Sequence, residues 1–463
     1  MKIELNSESG NWFGGSVILK LALIGFLTLI LLIPNFWIQD LISERQERQT
    51  EINKEIANDW SGKQLIEGPV LVIPYKKTIV EIANDKSKTA TVKEVIATIH
   101  ILPENLNMDA EVKPTKLHRG IFESVVYTSK ITVNGSFSEL ELKKSGINPE
   151  KILWDKAKVF IGISDLKGLK NNPQVKIGGN TYEVEPDFIT EDLFDNNLSI
   201  SPDLSKLKSS KLDFSLVLDL KGSEELNFLH IGKNTKIKLT GNWADPSFIG
   251  RYSPDNRSFK DGGFTADWNL SYFNRNYPQQ WEGERRIITK GDSNNVVDVA
   301  TDNIDDSIFG VKFILPVDQY QKTMRTAKYA ILIIMLTFIA LFFMEFIQKR
   351  KIHLLQYVLI SAAMIVYYTL LLAFGEQVGF NYAYLIASVS TIVLIGSFVK
   401  SLMKAVKPAL LFSTILSVIY GFIFVIIQLQ DLALLSGSIA LFVVVALLMF
   451  LSGKIDWNKK EVV

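Results

Sequence analysis

The chain has 463 residues, of which 48% are hydrophobic and 21% are charged, and its mean hydropathy is +0.17. This composition is too apolar for an ordinary soluble protein and too charged for one wholly buried in lipid, so we expect membrane-spanning and aqueous parts. The net charge of +1 argues against nucleic acid as a partner. Without cysteine, the aqueous part has no disulfides and depends on its hydrophobic core.

The first apolar run, residues 17–38, is long enough to cross a bilayer as a helix and follows an N-terminal segment of residues 1–16. Residues 34–37 (PNFW) are bulky where a signal-peptide cleavage site needs small side chains. The run therefore predicts an uncleaved transmembrane helix.

The polar stretch from Asp40 to Trp60 places Ile52, Ile56 and Trp60 at helical four-residue spacing. This pattern predicts a stalk helix with a narrow apolar stripe. A stripe of this kind needs a partner, and we expect it to be the short helix of residues 320–326.

From about residue 68 to residue 316 the hydrophobic period changes to two, which is typical of strands separated by Gly, Asn, Pro and Asp turns. In residues 212–220 (LDFSLVLDL) apolar side chains occupy every even position, so one face of this strand is exposed to water. Residues 39–326 are therefore predicted to form a mostly-β, sandwich-like extracytoplasmic domain with flanking stalk helices. The polar stretch 190–210 is a candidate internal boundary. The predicted strands are residues 92–102, 124–137, 158–163, 212–220, 235–240 and 264–272.

A final strand at residues 311–317 precedes a helical pattern that runs from Tyr320 to Phe346, which predicts one continuous helix into the membrane. The fold class is therefore a membrane protein with its β domain inserted between transmembrane helix 1 and a five-helix C-terminal bundle. The predicted spans of this bundle are residues 327–346, 355–374, 382–399, 409–427 and 432–451, followed by a tail at 452–463.

Loop charges predict the topology. The loops after residues 346, 399 and 451 carry Lys and Arg, whereas residues 375–380 and 428–431 contain neither. Positive loops stay in the cytoplasm, so both termini are expected to be cytoplasmic and residues 39–326 periplasmic. Lys322, Arg325 and Lys328 lie on the outer side in this topology, where they can contact lipid phosphates.

Few residues are candidates for catalysis or metal binding. Four histidines occur, at positions 100, 118, 230 and 353, and their spacing matches no metal or catalytic motif, so we expect structural or surface roles. Asp298, Asp302, Asp305 and Asp306 could hold calcium, but a solvated turn is the favoured interpretation. We therefore predict no catalytic residues, no metal and no cofactor.

Residues 243–281 combine ten aromatic side chains with three arginines. One interpretation is a ligand surface for carbohydrate or peptide, because flat rings stack and guanidinium groups form paired hydrogen bonds. The other, which we favour, is a second small core under long loops. The candidate ligand-surface residues are Trp243, Arg251, Trp268, Arg275 and Trp281.

Short motifs occur in a fixed order along nearly the whole chain: residues 60–62 (WSG), 68–75 (GPVLVIPY), 245–250 (DPSFIG), 263–268 (GFTADW), 274–279 (NRNYPQ) and 315–322 (LPVDQYQK). They resemble the CreD inner-membrane proteins. The resemblance implies a bacterial inner-membrane protein linked to cell-envelope integrity and envelope stress. It implies no reaction and no catalytic residues.

We therefore expect a non-enzymatic envelope-integrity protein whose partners are the lipid bilayer and peptidoglycan, lipid or envelope proteins. A transporter or permeation component built on the six helices is the alternative, although the apolar runs lack an ionisable residue near the midplane. An envelope-processing enzyme is the third and least favoured class.

Overall fold

The protein is described by a computed structural model over residues 17–82, 90–139, 147–188, 193–205, 211–275, 277–283, 307–313, 319–348, 350, 352–429 and 433–453. The chain divides into two compact units, one of which is Thr50–Pro316 and the other the remainder. The acidic cluster of residues 298–306 lies outside the described residues, as do residues 314–317 of the predicted final strand.

The β domain contains seventeen described strands. They are β1 (Gln64–Ile82), β2 (Ala90–Ile101), β3 (Asn105–Arg119), β4 (Phe122–Phe137), β5 (Lys158–Ile163), β6 (Gln174–Ile177), β7 (Asn180–Glu183), β8 (Glu185–Asp187), β9 (Asn197–Ile200), β10 (Leu212–Ser223), β11 (Glu225–Leu229), β12 (Asn234–Gly241), β13 (Pro246–Gly250), β14 (Asn256–Lys260), β15 (Gly263–Ser271), β16 (Gln280–Glu282) and β17 (Ile308–Phe313).

These strands form two sheets. The nine-stranded sheet has the order β13-β17-β11-β1-β5-β9-β8, with β2 paired to β1 and β16 paired to β2. The eight-stranded sheet has the order β14-β15-β12-β3-β4-β10-β6-β7. Most pairs are antiparallel, and the parallel ones are β1 with β11 and β12 with β3. Buried apolar side chains from both sheets make one hydrophobic core, so the predicted mostly-β, two-sheet domain is confirmed.

The six predicted internal strands correspond to β2, β4, β5, β10, β12 and β15, with ends that agree within three residues. In β10 the even-numbered residues from 212 to 220 are buried, as the alternation predicts. The sequence analysis missed β3, whose Asn, Asp, Glu and Lys residues have low strand propensity. Its inward side chains are nevertheless buried in alternation over residues 106–114, because pairing with β4 and β12 holds β3 in the sheet with one face packed into the hydrophobic core.

Seven α-helices are described: α1 (Val17–Trp60), α2 (Gln319–Lys328), α3 (Ala330–Gln348), α4 (Leu354–Val378), α5 (Phe380–Met403), α6 (Val406–Gln428) and α7 (Ala433–Gly453). Among the described residues α1, α3, α4, α5 and α6 are long and apolar enough to cross a membrane. Helix α4 packs against α5, α5 against α6, and α3 contacts α6. The β domain is therefore inserted between one apolar helix and a C-terminal group of apolar helices.

Two helix boundaries differ from the predicted ones. The first span and the stalk form a single helix, α1, which continues through Pro34. The predicted continuous helix of residues 320–346 is instead divided into α2 and α3 at Tyr329. At this point three-residue hydrogen bonds occur beside the four-residue ones: the N–H of Tyr329 donates to the carbonyls of both Arg325 and Thr326, and the carbonyl of Tyr329 accepts from both Leu332 and Ile333. The turn is tightened locally, while helical hydrogen bonds continue across it.

Candidate functional site

Trp268, one of the candidate ligand residues, lies in the core of the β domain. Only 1% of its surface is exposed, and its indole N–H donates to the carbonyl of Tyr252 at 3.0 Å. Its ring lies 5.5 Å from that of Phe309 in β17 and 5.7 Å from that of Phe248 in β13. Because both partners belong to the opposite sheet, Trp268 joins the two sheets through aromatic packing.

Arg275 is a buried brace rather than an exposed side chain. It is 7% exposed, and its guanidinium group donates to the carbonyl of Ile231 and to the side-chain oxygen of Gln279. It also lies 5.0 Å from the ring centroid of Tyr277. Burial lowers the pKa of Arg275. The side-chain amide of Gln279 donates onward to the carbonyl of Leu102 at 2.7 Å, so this network ties three chain segments together.

His230 is a neutral core residue next to this brace. Its Nε2 lies 3.0 Å from the carbonyl of Ser271 and its Nδ1 lies 3.1 Å from the hydroxyl of Thr235. A carbonyl only accepts, so Nε2 carries the proton and Nδ1 accepts from the hydroxyl. Burial, and to a smaller extent the charge of the nearby Arg275, lowers the pKa of His230 to about 4. This geometry indicates a structural histidine, since both ring nitrogens are occupied.

The other three candidate ligand residues lie in different surroundings. Trp243 is half-buried with its ring 6.3 Å from that of Phe313. Trp281 is half-buried and stacks on His100 in β2, with ring centroids 5.0 Å apart and planes 4° apart. Arg251 is exposed. Among the five candidates the exposed one is Arg251, and its contact with a ligand remains a prediction.

The outward face of the eight-stranded sheet is polar and carries a shallow groove of about 660 Å³. In one row across three strands, Asp267 of β15 lies opposite Lys238 of β12, which lies opposite Asp109 of β3. In the next row Asn269 lies opposite Lys236. Neighbouring strands are about 4.8 Å apart, so carboxylate, amide and ammonium groups alternate at short spacing along the groove.

A second shallow groove, of about 450 Å³, lies on the same face farther along strands β3, β12, β14 and β15. Its lining includes Glu111, Lys113, Thr240, Ser258 and Lys260. This part of the face therefore presents hydrogen-bond donors and acceptors of both charges. The sequence analysis did not identify this surface, because β3 was not recognised as its central strand.

Glu67 is a buried carboxyl group in β1 that the sequence analysis also missed. It is 3% exposed and lies in the otherwise apolar run of residues 65–73, opposite Gly162 of β5. Burial, and to a smaller extent the neighbouring Asp195, raises the pKa of Glu67 to about 8. The carboxyl group is therefore protonated at neutral pH.

A cluster of tyrosines lies inside the helix bundle. Tyr367 and Tyr368 are near the middle of α4, and the ring of Tyr367 lies 4.9 Å from that of Tyr420 in α6 and 6.0 Å from that of Tyr384 in α5. The Tyr384 hydroxyl donates to the carbonyl of Tyr420 at 2.7 Å. Within the described residues, the buried hydroxyls of Tyr368 and Tyr420 make no hydrogen bond, whereas the hydroxyl of Tyr367 interacts with that of Ser388.

One end of the bundle is lined by polar side chains. Glu376, near the end of α4, lies 3.8 Å from Arg45 of α1 and accepts a hydrogen bond of 3.3 Å from the Tyr320 hydroxyl of α2. Burial and Glu376 raise the pKa of Tyr320 to about 12. On the same helix, Lys322 donates to Gln428 at 2.6 Å. These contacts fix α2 against the ends of the spanning helices.

The described residues contain no group of three His, Asp or Glu side chains placed to hold a metal ion.

Comparison with known proteins gives a clear relationship: the family model for inner membrane protein CreD matches residues 16–458. The chain belongs to the CreD family. It is also 31% identical over 430 residues to the inner membrane protein CreD of Escherichia coli (strain K12), which covers 93% of this chain and 91% of that protein. The protein is therefore a multi-pass inner-membrane protein.

Two of the CreD-like motifs have structural roles in this chain. In residues 60–62, the Ser61 hydroxyl and the Gly62 N–H both donate to the carboxylate of Asp165, at 3.0 and 2.8 Å. Gln64 adds bonds from its amide to Ser61 at 2.9 Å and to the carbonyl of Lys221 at 3.0 Å. Residues 274–279 supply the Arg275 brace. The motifs that carry the resemblance thus include hydrogen-bonded supports of the CreD-family β domain.

Proposed function

We propose that this inner-membrane protein supports cell-envelope integrity by contacting an envelope component outside the cytoplasm through its β domain. The observation that carries the contact is the polar, grooved face of the eight-stranded sheet. A sheet face with alternating ammonium, carboxylate and amide groups can bind a glycan, a lipid headgroup or a protein partner without catalysing a reaction. His230 supports a non-catalytic role, since both of its ring nitrogens are engaged in the core.

The proposed topology places both termini in the cytoplasm and residues 39–326 in the periplasm. It is supported by the Lys and Arg residues of alternate short loops. A reporter fused after Val463 or near Lys404 should give a cytoplasmic signal, and one near Asn197 a periplasmic signal. A periplasmic signal at Lys404 would reverse the topology and remove the proposed contact with the cell wall.

The proposed contact is tested with Lys236→Gln and Lys238→Gln combined, since both lysines are exposed on the groove. A matched control is Lys76→Gln with Lys93→Gln, which removes the same charge from exposed positions on β1 and β2. The full-length protein in neutral detergent is sedimented with purified peptidoglycan, and each variant is tested for complementation of a deletion strain. We expect the groove variant to lose binding and complementation while its melting temperature stays unchanged.

Equal behaviour of the groove and control variants in both assays would contradict a role for this face. If the protein binds membrane lipid or an envelope protein instead of peptidoglycan, that component becomes the proposed partner of the groove. In that case the groove variant should still fail in the cell.

The second candidate function, transport or permeation, is favoured by one observation, the tyrosine cluster in the bundle. Each buried hydroxyl group without a hydrogen-bond partner destabilises the fold by about 1–3 kcal/mol. A group of such hydroxyls near the middle of α4 is therefore typical of a functional polar site rather than of a purely structural core. Flux of small polar solutes into proteoliposomes should fall in Tyr367→Phe with Tyr420→Phe, whereas exposed Tyr382→Phe serves as the control. An absence of flux in the wild-type protein would remove this candidate.

A further inference from the structure

Lys322 of α2 is a buried cation with neutral partners. It is 9% exposed, and its ammonium group donates to the side-chain oxygen of Gln428 at 2.6 Å. The same group lies 5.7 Å from the ring centroid of Phe380. An amide oxygen and an aromatic face stabilise an ammonium ion but do not neutralise it. This site therefore has an uncompensated positive charge.

A second cation follows on the same face of α2. Arg325 is three residues after Lys322, which places the two side chains side by side on a helix. Burial lowers the pKa of Lys322, and the positive charge of Arg325 lowers it further. Among the described residues no carboxylate lies within salt-bridge distance of either side chain, and Glu376 at this end of the bundle contacts Arg45 and Tyr320 instead.

The beginning of α5 adds backbone donors at the same place. Phe380 is the first residue of α5, and the preceding Gly379 makes no side-chain cap to the first-turn N–H groups. Such uncapped N–H groups, at the positive end of the helix dipole, favour an anion. The backbone and the two side chains thus all contribute positive potential.

The position of this site along the helix axes indicates which kind of anion it can bind. Helix α4 ends at Val378, α5 begins at Phe380 and α6 ends at Gln428, so Lys322 contacts the level at which three spanning helices terminate. Helices of 23–25 residues are about 35–38 Å long, slightly more than a hydrocarbon core of about 30 Å. From these lengths we expect the helix ends to lie in the layer of lipid phosphate groups.

We propose that Lys322 and Arg325, together with the first turn of α5, bind a phosphate group at this end of the helix bundle. The phosphate can belong to an anionic phospholipid or be free in solution, and both present the same oxygen acceptors. Lys322 supplies a point charge, and Arg325 can form paired hydrogen bonds with two phosphate oxygens.

The test uses the full-length protein in neutral maltoside detergent, with phosphatidylglycerol and inorganic phosphate as separate probes. Binding is measured by native mass spectrometry for the lipid and by the shift in melting temperature for both probes. We expect Lys322→Gln and Arg325→Gln each to weaken binding at least tenfold. Lys328→Gln, which removes the same charge from an exposed position of the same helix, should bind as the wild type does.

The probes distinguish the two sources. Retention of phosphatidylglycerol that depends on Lys322 and Arg325, without an effect of inorganic phosphate, supports a lipid site. The same dependence with inorganic phosphate supports a site for soluble phosphate. If Lys322→Gln does not fold, Arg325→Gln alone decides, because its side chain is half-exposed. Binding that is unchanged in these variants, or reduced equally in Lys328→Gln, overturns the proposal.

Discussion

The carboxyl group of Glu67 lies directly over the backbone of Gly162, its partner across the β1–β5 pair. A side chain at position 162 would occupy the space of this carboxyl group and of the Phe194 ring, so the glycine makes room for a buried acid. The nine-stranded sheet therefore contains a carboxyl group that is protonated at neutral pH and whose position is fixed by close packing against its neighbours.

Glu67 should make the stability of the β domain depend on pH. Its pKa of about 8 in the folded state is above the ordinary value of 4.5, so the folded state keeps a proton that the unfolded state releases. The associated stability is fully present below about pH 4.5 and is lost as pH rises through about 8. Glu67→Gln should reduce the fall in melting temperature between pH 6 and 9, whereas Glu183→Gln, at an exposed position, should not.

Gly162→Ala should destabilise the β domain by about 1–3 kcal/mol, which is typical of an overpacked core. The added methyl group would lie 2.7 Å from the ring of Phe194 and would also meet Glu67. Gly62→Ala is the control, because its methyl group would make an ordinary contact of 3.7 Å with Asp165. Chemical denaturation followed by tryptophan fluorescence measures both, and equal stabilities would contradict the close packing at Gly162.

His230 should cause an opposite pH dependence on the acid side. Its folded pKa of about 4 is below the ordinary value of 6.5, so the unfolded state takes up a proton that the buried imidazole does not. The stability is present above pH 6.5 and is lost as pH falls toward 4. Between pH 6.5 and 4.5 the Glu67 contribution has the opposite sign, so the difference between variants carries the test. As pH falls through this range, we expect the melting temperature of the wild type to decrease relative to that of His230→Gln. An NMR titration in which His230 becomes charged near pH 6.5 would contradict this prediction.

The two arginines of the aromatic region should behave differently. Arg275→Ala removes the donors to Ile231 and Gln279 and leaves buried acceptors unpaired, which costs about 1–3 kcal/mol or more. Arg251→Ala, at an exposed position, should stay within about 0.5 kcal/mol of the wild type. Trp268→Ala, in the core, should cost about 3–5 kcal/mol. Thermal unfolding of the three variants in detergent checks this order.

Local sequence patterns determined the architecture at the level of segments. The apolar runs have the length that a bilayer requires, and the alternation in residues 212–220 indicated the buried face of β10. The motifs from residue 60 to residue 322 indicated the family. These signals are readable because each depends on residues close together in the chain.

Contacts between distant segments decided the rest. β3 is a central strand because β4 and β12 pair with it, not because of its own composition. Arg275 can be buried because the carbonyl of Ile231, 44 residues earlier in the chain, accepts a hydrogen bond from its guanidinium group, although arginine is usually exposed. Tyr367 meets Tyr420 because α4 and α6 each pack against α5. Burial and pKa depend on which segments fold onto one another, and a single sequence carries no local signal for that.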